Sequence, residues 1–134
     1  MNKRSGKILI VDDDRLLVEE LMETLCYDGF QVDCLYDGNV VVNQITKIRY
    51  DCMIMDLKIP GKSGVEILDD VDPDQLGLKI IVMSGHPVLS EKINDESDES
   101  RILFNLLQRK TIGCLCKPFE VKSMLNLVYK AVES

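Results

Sequence analysis

The feature that most constrains this chain is a set of short, unbroken apolar runs, each ending on a polar residue. Ile8–Val11 runs into Asp12, Asp13 and Asp14, Cys52–Met55 into Asp56, and Ile80–Met83 into Ser84. Such a run offers water no polar side, so it fits a strand buried on both faces of a parallel sheet. Residues 51 to 64 are the most informative stretch. Pro60, Gly61 and Gly64 impose a turn after Asp56. Ser63, with Glu66 three residues on, has the pattern of a capping box that opens a helix. Asp56 therefore falls at the carboxyl end of a strand, the rim where open α/β sheets place their ligands and chemistry. A single loop aspartate more often only solvates a turn, so its neighbours in space decide its meaning.

Helical patterns separate the runs. Leu17, Leu21 and Leu25, joined by Val18 and Met22, predict an amphipathic helix closed by Gly29. Gln31 to Leu35 reads as a second strand, with Asp37-Gly38 as the turn out of it and Val40 to Ile48 as a helix rich in poor helix formers. A short helix from about Gly64 to Val71 is expected to stop at Pro73. Arg101 to Arg109 reads as a helix, Ile112 to Cys116 as the fifth strand, and Val121, Leu125, Val128 and Val132 as the buried stripe of the last helix. Five strands alternating with five helices imply a doubly wound α/β fold with right-handed crossovers.

The length of 134 residues suits one domain, 1–134. The net charge of -7 argues against direct nucleic-acid binding by this segment and favours a cationic ligand such as a metal. No segment is apolar for long enough to be a signal peptide or a membrane span, so a cytoplasmic location is expected. Five cysteines, at 26, 34, 52, 114 and 116, form no Cys-x-x-Cys pair and are expected to be reduced thiols packed as small hydrophobes. Cys114 and Cys116 would share one strand face, but two thiols alone make a poor zinc site. Residues 90 to 100 have the composition of a mobile acidic loop. Asp14 is read as a helix N-cap rather than a metal ligand, His86 as a loop residue, and Phe104 as lying off the Leu103, Leu107 stripe.

Placed on one rim, the strand ends would gather Asp12, Asp13, Asp56, Ser84 and Lys117. Crowded carboxylates repel, and Mg²⁺, with its preference for oxygen ligands and retained waters, would relieve that. Lys117 would meet phosphate oxygens with a point charge and Ser84 with a hydroxyl. The reaction that suits this set is phosphoryl transfer onto a carboxylate.

At these residues the sequence resembles the receiver domains of two-component response regulators, over essentially its whole length. The resemblance rests on Ile-Leu-Ile-Val-Asp-Asp at 8 to 13, Asp-Leu-Lys-Ile-Pro-Gly-Lys-Ser-Gly at 56 to 64, Ile-Val-Met-Ser-Gly at 81 to 85, and Lys-Pro-Phe at 117 to 119. It implies a flavodoxin-like three-layer sandwich with strand order 2-1-3-4-5, an order known for receiver-type proteins and not inferred from this chain. It also implies that Asp56 accepts a phosphoryl group from a histidine kinase or phosphotransfer protein. Asp12, Asp13, Asp56 and the backbone carbonyl of Lys58 would hold Mg²⁺, Ser84 and Lys117 would meet the phosphate, and the Lys117-Pro118 bond would be cis. An effector domain, absent or removed here, or a homodimer would form through the face of the fourth helix, fifth strand and fifth helix.

The chain departs from the family pattern at three points. Ile59 stands where Met is common, Cys114 where Tyr or Phe usually turns inward on activation, and the segment from Ser84 to Lys117 is longer than usual. Switching is therefore expected to act through the acidic loop at about 86–100 and the start of the fourth helix, with Cys114 as a passive packing residue. Two other classes share features with this pattern. A Mg²⁺-dependent phosphatase of the haloacid-dehalogenase type also uses a strand-end aspartate nucleophile, but it needs a second Asp where this chain has Lys58. A receiver-like interaction module without phosphorylation would not need the complete acceptor set.

Overall fold

A computed structural model of the protein describes residues 5–85 and 98–133, the side chains of 98–100 excepted. The chain runs β1 (Lys7–Val11), α1 (Arg15–Tyr27), β2 (Gln31–Leu35), a 3₁₀ turn (Gly38–Val40), α2 (Val41–Lys47), β3 (Cys52–Asp56) and α3 (Gly64–Asp70). It continues with α4 (Pro73–Leu76), β4 (Lys79–Ser84), α5 (Asp98–Lys110), β5 (Gly113–Cys116) and α6 (Val121–Glu133). The five strands form one parallel sheet in the order β2-β1-β3-β4-β5. Because the order reverses direction at β1, helices cover both faces, and the three central strands bury every apolar side chain they have.

Alternation along those strands divides the core in two. Leu9, Val11, Met53, Met55, Ile80 and Val82 point to one face, where Val41 and Ile45 of α2 and Ile67 and Leu68 of α3 cover them. Ile8, Ile10, Cys52, Ile54, Ile81 and Met83 point to the other, beneath Val18, Leu21 and Leu25 of α1 and Met124, Val128 and Ala131 of α6. Burying one such side chain contributes about 1.5–3 kcal/mol, so the sheet and its helices account for most of the fold. No helix among the described residues is long and apolar enough to cross a membrane.

Several expectations need correction. There are six α-helices among the described residues, not five, because Pro73 starts a helix instead of only ending one. Asp72 accepts the Gln75 N–H at 3.4 Å, Pro73 occupies the first turn, where its missing N–H costs nothing, and Gly77 ends the turn at φ 63°. The second helix is shorter than Val40 to Ile48, and Val40 lies outside it at 47% exposure. The buried stripe of α6 is Met124, Val128 and Ala131, rotated from the one read in the sequence. Of the five cysteines only Cys52 is buried: Cys34 is half-buried, and Cys26, Cys114 and Cys116 are exposed. Cys114, expected to be packed, is thus exposed as a whole residue, although partial burial of its thiol pushes its pKa up. Most of the expected acidic loop, with His86, lies outside the described residues, and Asp98 to Ser100 open α5 instead of ending a loop. Phe104 is exposed, at 42%, as read.

Candidate functional site

The carboxyl ends of β1, β3, β4 and β5 bring together most of the residues singled out in the sequence. Asp12 follows β1 directly and is fully buried. Its N–H donates to Leu35 O at 3.1 Å, which ties it to β2, and its Oδ1 accepts the Asp14 N–H at 3.0 Å. That second bond turns the chain into α1, where Asp14 caps the helix by accepting the Leu17 N–H at 3.2 Å. Asp14 is therefore an N-cap, and the metal-capable group comprises Asp12, Asp13 and Asp56. One carboxylate oxygen from each lies within 4.8 Å of the others.

Asp56 ends β3 with 7% exposure. The next residue keeps the strand paired, since the Leu57 N–H donates to Met83 O at 3.0 Å, and the Lys58 N–H then turns back to Asp56 Oδ1 at 2.9 Å. The Lys58 side chain points to solvent. α3 begins very close by: a Cβ on Gly64 would come within 2.7 Å of Asp56 O, so only glycine fits there. The capping box read in the sequence is present, with the Ser63 hydroxyl accepting the Glu66 N–H and the Glu66 carboxylate accepting the Ser63 N–H.

Lys117 leaves β5 with its N–H on Ser84 O at 2.8 Å, and its peptide bond to Pro118 is cis, as expected. Its ammonium reaches across the rim and donates to Asp12 Oδ2 at 2.6 Å and to Asp56 Oδ2 at 2.8 Å. Burial alone would lower the pKa of this lysine. Hydrogen bonds to the two carboxylates, and their charges, outweigh that and hold it above its ordinary value. Ser84, the last residue of β4, is buried beside this group at 4% exposure.

One set of residues escaped the sequence reading. The Asp37-Gly38 turn clasps the loop after Asp56: the Gly38 N–H donates to Pro60 O at 2.9 Å and the Lys62 N–H to Asn39 Oδ1 at 3.0 Å. A Cβ on Gly38 would fall 1.7 Å from Lys62 O, so the two loops touch backbone to backbone. The Asp-Gly pair signalled a turn, but nothing in it named the partner loop.

Three carboxylates against one ammonium leave two negative charges uncompensated, all on oxygen ligands. Each carboxylate keeps lone pairs for a further ligand, because each oxygen of Asp12 and Asp56 accepts a single hydrogen bond. The donor set thus fits a hard divalent cation, with room for waters or phosphate oxygens in the remaining positions.

Residues 8–129 match the family described as the response regulator receiver domain. The chain belongs to that family. Among curated relatives, the receiver is 30% identical over 89 residues to the response regulator MprA of Mycobacterium bovis (strain BCG / Pasteur 1173P2), a match covering 66% of this chain and 39% of that protein. Against MprA of Mycobacterium avium (strain 104) it is 30% identical over 87 residues, covering 65% of this chain and 38% of the relative. The match spans about two fifths of these relatives' length. A receiver domain protein (CheY-like) from Methanospirillum hungatei JF-1 superposes with a TM-score of 0.78 at 21% identity, over 97% of this chain and 95% of that one. The response regulator protein TrrA from Thermotoga maritima, crystallised in complex with Mg(2+)-BeF, superposes with a TM-score of 0.70 at 25% identity, over 93% and 97% of the two chains. The expected sheet order and CheY-like, flavodoxin-like sandwich are therefore observed.

Proposed function

We propose that this receiver is a phosphorylation-activated switch of a two-component relay, with Asp56 as its phosphoacceptor. The observation that best supports this is the Lys117 ammonium shared between Asp12 and Asp56 inside a cluster of three carboxylates. Such a cluster needs cationic compensation, and its one lysine sits where a phosphoryl group on Asp56 would need a counter-charge.

The donor is a histidine kinase or a phosphotransfer protein. An Asp56 carboxylate oxygen attacks phosphorus, the P–N bond of a phosphohistidine breaks as the new P–O bond forms, and the imidazole leaves. Asp12, Asp13, Asp56 and the backbone carbonyl of Lys58 would hold Mg²⁺, which supplies charge neutralisation and orientation when bound. Lys117, freed from Asp56 by the new negative charge, follows the phosphate oxygens, and the Ser84 hydroxyl donates to them. These two shifts bias a pre-existing equilibrium rather than create a new state. The TrrA complex with Mg(2+)-BeF supports the same use of the site here. The output would pass to an effector domain or a homodimer through the face of α5, β5 and α6, in a cytoplasmic setting. A phosphatase of the aspartyl-nucleophile type is disfavoured because Lys58 replaces the general acid.

The test is incubation with acetyl phosphate and Mg²⁺, followed by intact mass. One acid-labile phosphoryl group should appear, vanish in Asp56→Asn and require divalent metal. Labelling of Asp56→Asn at another residue, or metal-independent labelling, would overturn the assignment.

A further inference from the structure

Away from the carboxylate rim, sulfur atoms gather between α1 and β2. Met22 and Cys26 lie one turn apart on α1, so their side chains leave the same face of the helix. Cys34 of β2 packs against that face, and its Sγ lies 3.9 Å from Met22 Sδ. The Cys34 thiol also responds to Cys26: burial first, then the charges of Asp33 and Cys26, push its pKa up. Met22 and Cys34 are half-buried while Cys26 is exposed, so the group opens to solvent at one corner, and no disulfide closes it.

The 3.9 Å between Met22 Sδ and Cys34 Sγ is informative. A thiolate binds a metal at about 2.3 Å, and three sulfurs around one ion in a trigonal plane are then about 4 Å apart. Thiolates and thioethers are soft ligands that select Cu(I) over hard ions. We propose that Met22, Cys26 and Cys34 form a binding site for one soft monovalent cation, Cu(I). On binding, Cys26 and Cys34 give up their S–H protons to solvent while the thioether of Met22 donates a lone pair, so one positive charge enters and up to two protons leave. No oxidant is involved. The site is chemically orthogonal to the carboxylate cluster, since neither donor set suits the other's ion, and it does not depend on the phosphoacceptor reading.

Cys114 and Cys116 supply the control. Both are exposed on β5 with buried Leu115 between them, so they form the obvious competing dithiol. The experiment is an anaerobic titration of the reduced, full chain with Cu(I) in competition with bicinchoninate. In a Cys114→Ser, Cys116→Ser background, one Cu(I) per chain should still bind. Adding Cys34→Ser, or separately the volume-conserving Met22→Leu, should weaken that binding at least tenfold. Loss of stoichiometric binding in the Cys114→Ser, Cys116→Ser background would overturn the proposal. So would an affinity unchanged by Cys34→Ser or by Met22→Leu. Because Met22→Leu keeps the packing of α1, its result stands even if Cys34→Ser folds poorly.

Discussion

Replacing Lys117 by methionine tests whether the site is held together by charge compensation. The Lys117 ammonium lies 2.6 Å from Asp12 and 2.8 Å from Asp56, and these carboxylates are 0% and 7% exposed as residues. Methionine keeps most of the apolar stem and removes only the charge, which leaves two buried carboxylates facing each other. Removing one partner of a buried ion pair typically costs about 3–5 kcal/mol. The lysine side chain is 23% exposed, so solvent screens part of the interaction. A loss of about 2–3 kcal/mol in metal-free buffer is therefore expected. With a urea dependence of about 1–3 kcal/mol per molar, the unfolding midpoint should fall by roughly 1 M.

Magnesium should then close most of the gap. A ligand that binds only the native state adds about 2.7 kcal/mol at a hundredfold excess over Kd. In Lys117→Met the cation no longer shares the carboxylates with an ammonium, so it should bind more tightly than in the wild type. The assay is urea unfolding followed by circular dichroism, in EDTA and in saturating Mg²⁺, for both proteins. A deficit of equal size in both buffers would mean that Lys117 acts through packing. No deficit in EDTA would mean that the carboxylates do not need a counter-charge, and either result would refute the reasoning.

Alkaline pH offers a second view of the same groups. The fold holds Lys117 above its ordinary 10.5 and, chiefly by burial and then by its bond to Asp33, holds Tyr50 at about 12 against an ordinary 10. Both favour the protonated form in the folded state, so their contributions are complete below pH 10 and are lost as pH rises. The metal-free urea midpoint should therefore drop between pH 10 and 12, and Tyr50→Phe should flatten part of that drop; a flat wild-type profile would contradict it. Gly38→Ala should destabilise the fold by at least about 2 kcal/mol, because its Cβ would meet Lys62 O at 1.7 Å. Unchanged thermal stability of that variant would show that the loops can part freely.

How much was legible in the sequence depended on whether a signal acts locally. The apolar runs named β1, β3 and β4 because a strand with no polar face has nowhere to lie but a buried sheet. Ser63 and Glu66 named the start of α3 because a capping box is complete within one turn. Asp72, Pro73 and Gly77 held an equally local signal for α4, but a proline read only as a stop hides the helix that it begins. The stripe of α6 was misjudged for another reason. Alanine scores weakly as a hydrophobe, yet Ala131 is buried while Val132 is only half-buried. Cys114 and Cys116 failed similarly: β5 is the edge of the sheet, and a short apolar run at an edge keeps one face open.

Sequence separation was not what made a contact hard to foresee. Lys117 and Asp12 are 105 residues apart and were read together, whereas Asn39 and Lys62, only 23 apart, and Met22 and Cys34, only 12 apart, were not. A parallel sheet explains the difference. Every strand runs the same way, so all of the residues that end strands arrive on one rim whatever lies between them. The backbone alone therefore assembles Asp12, Asp56, Ser84 and Lys117. The clasp and the sulfur group need more: the path of a loop in one case, and the angle at which α1 crosses β2 in the other. Neither is written in a run or a period. A function built on strand ends can be read from one sequence, while a function built between a helix face and a strand face must wait for coordinates.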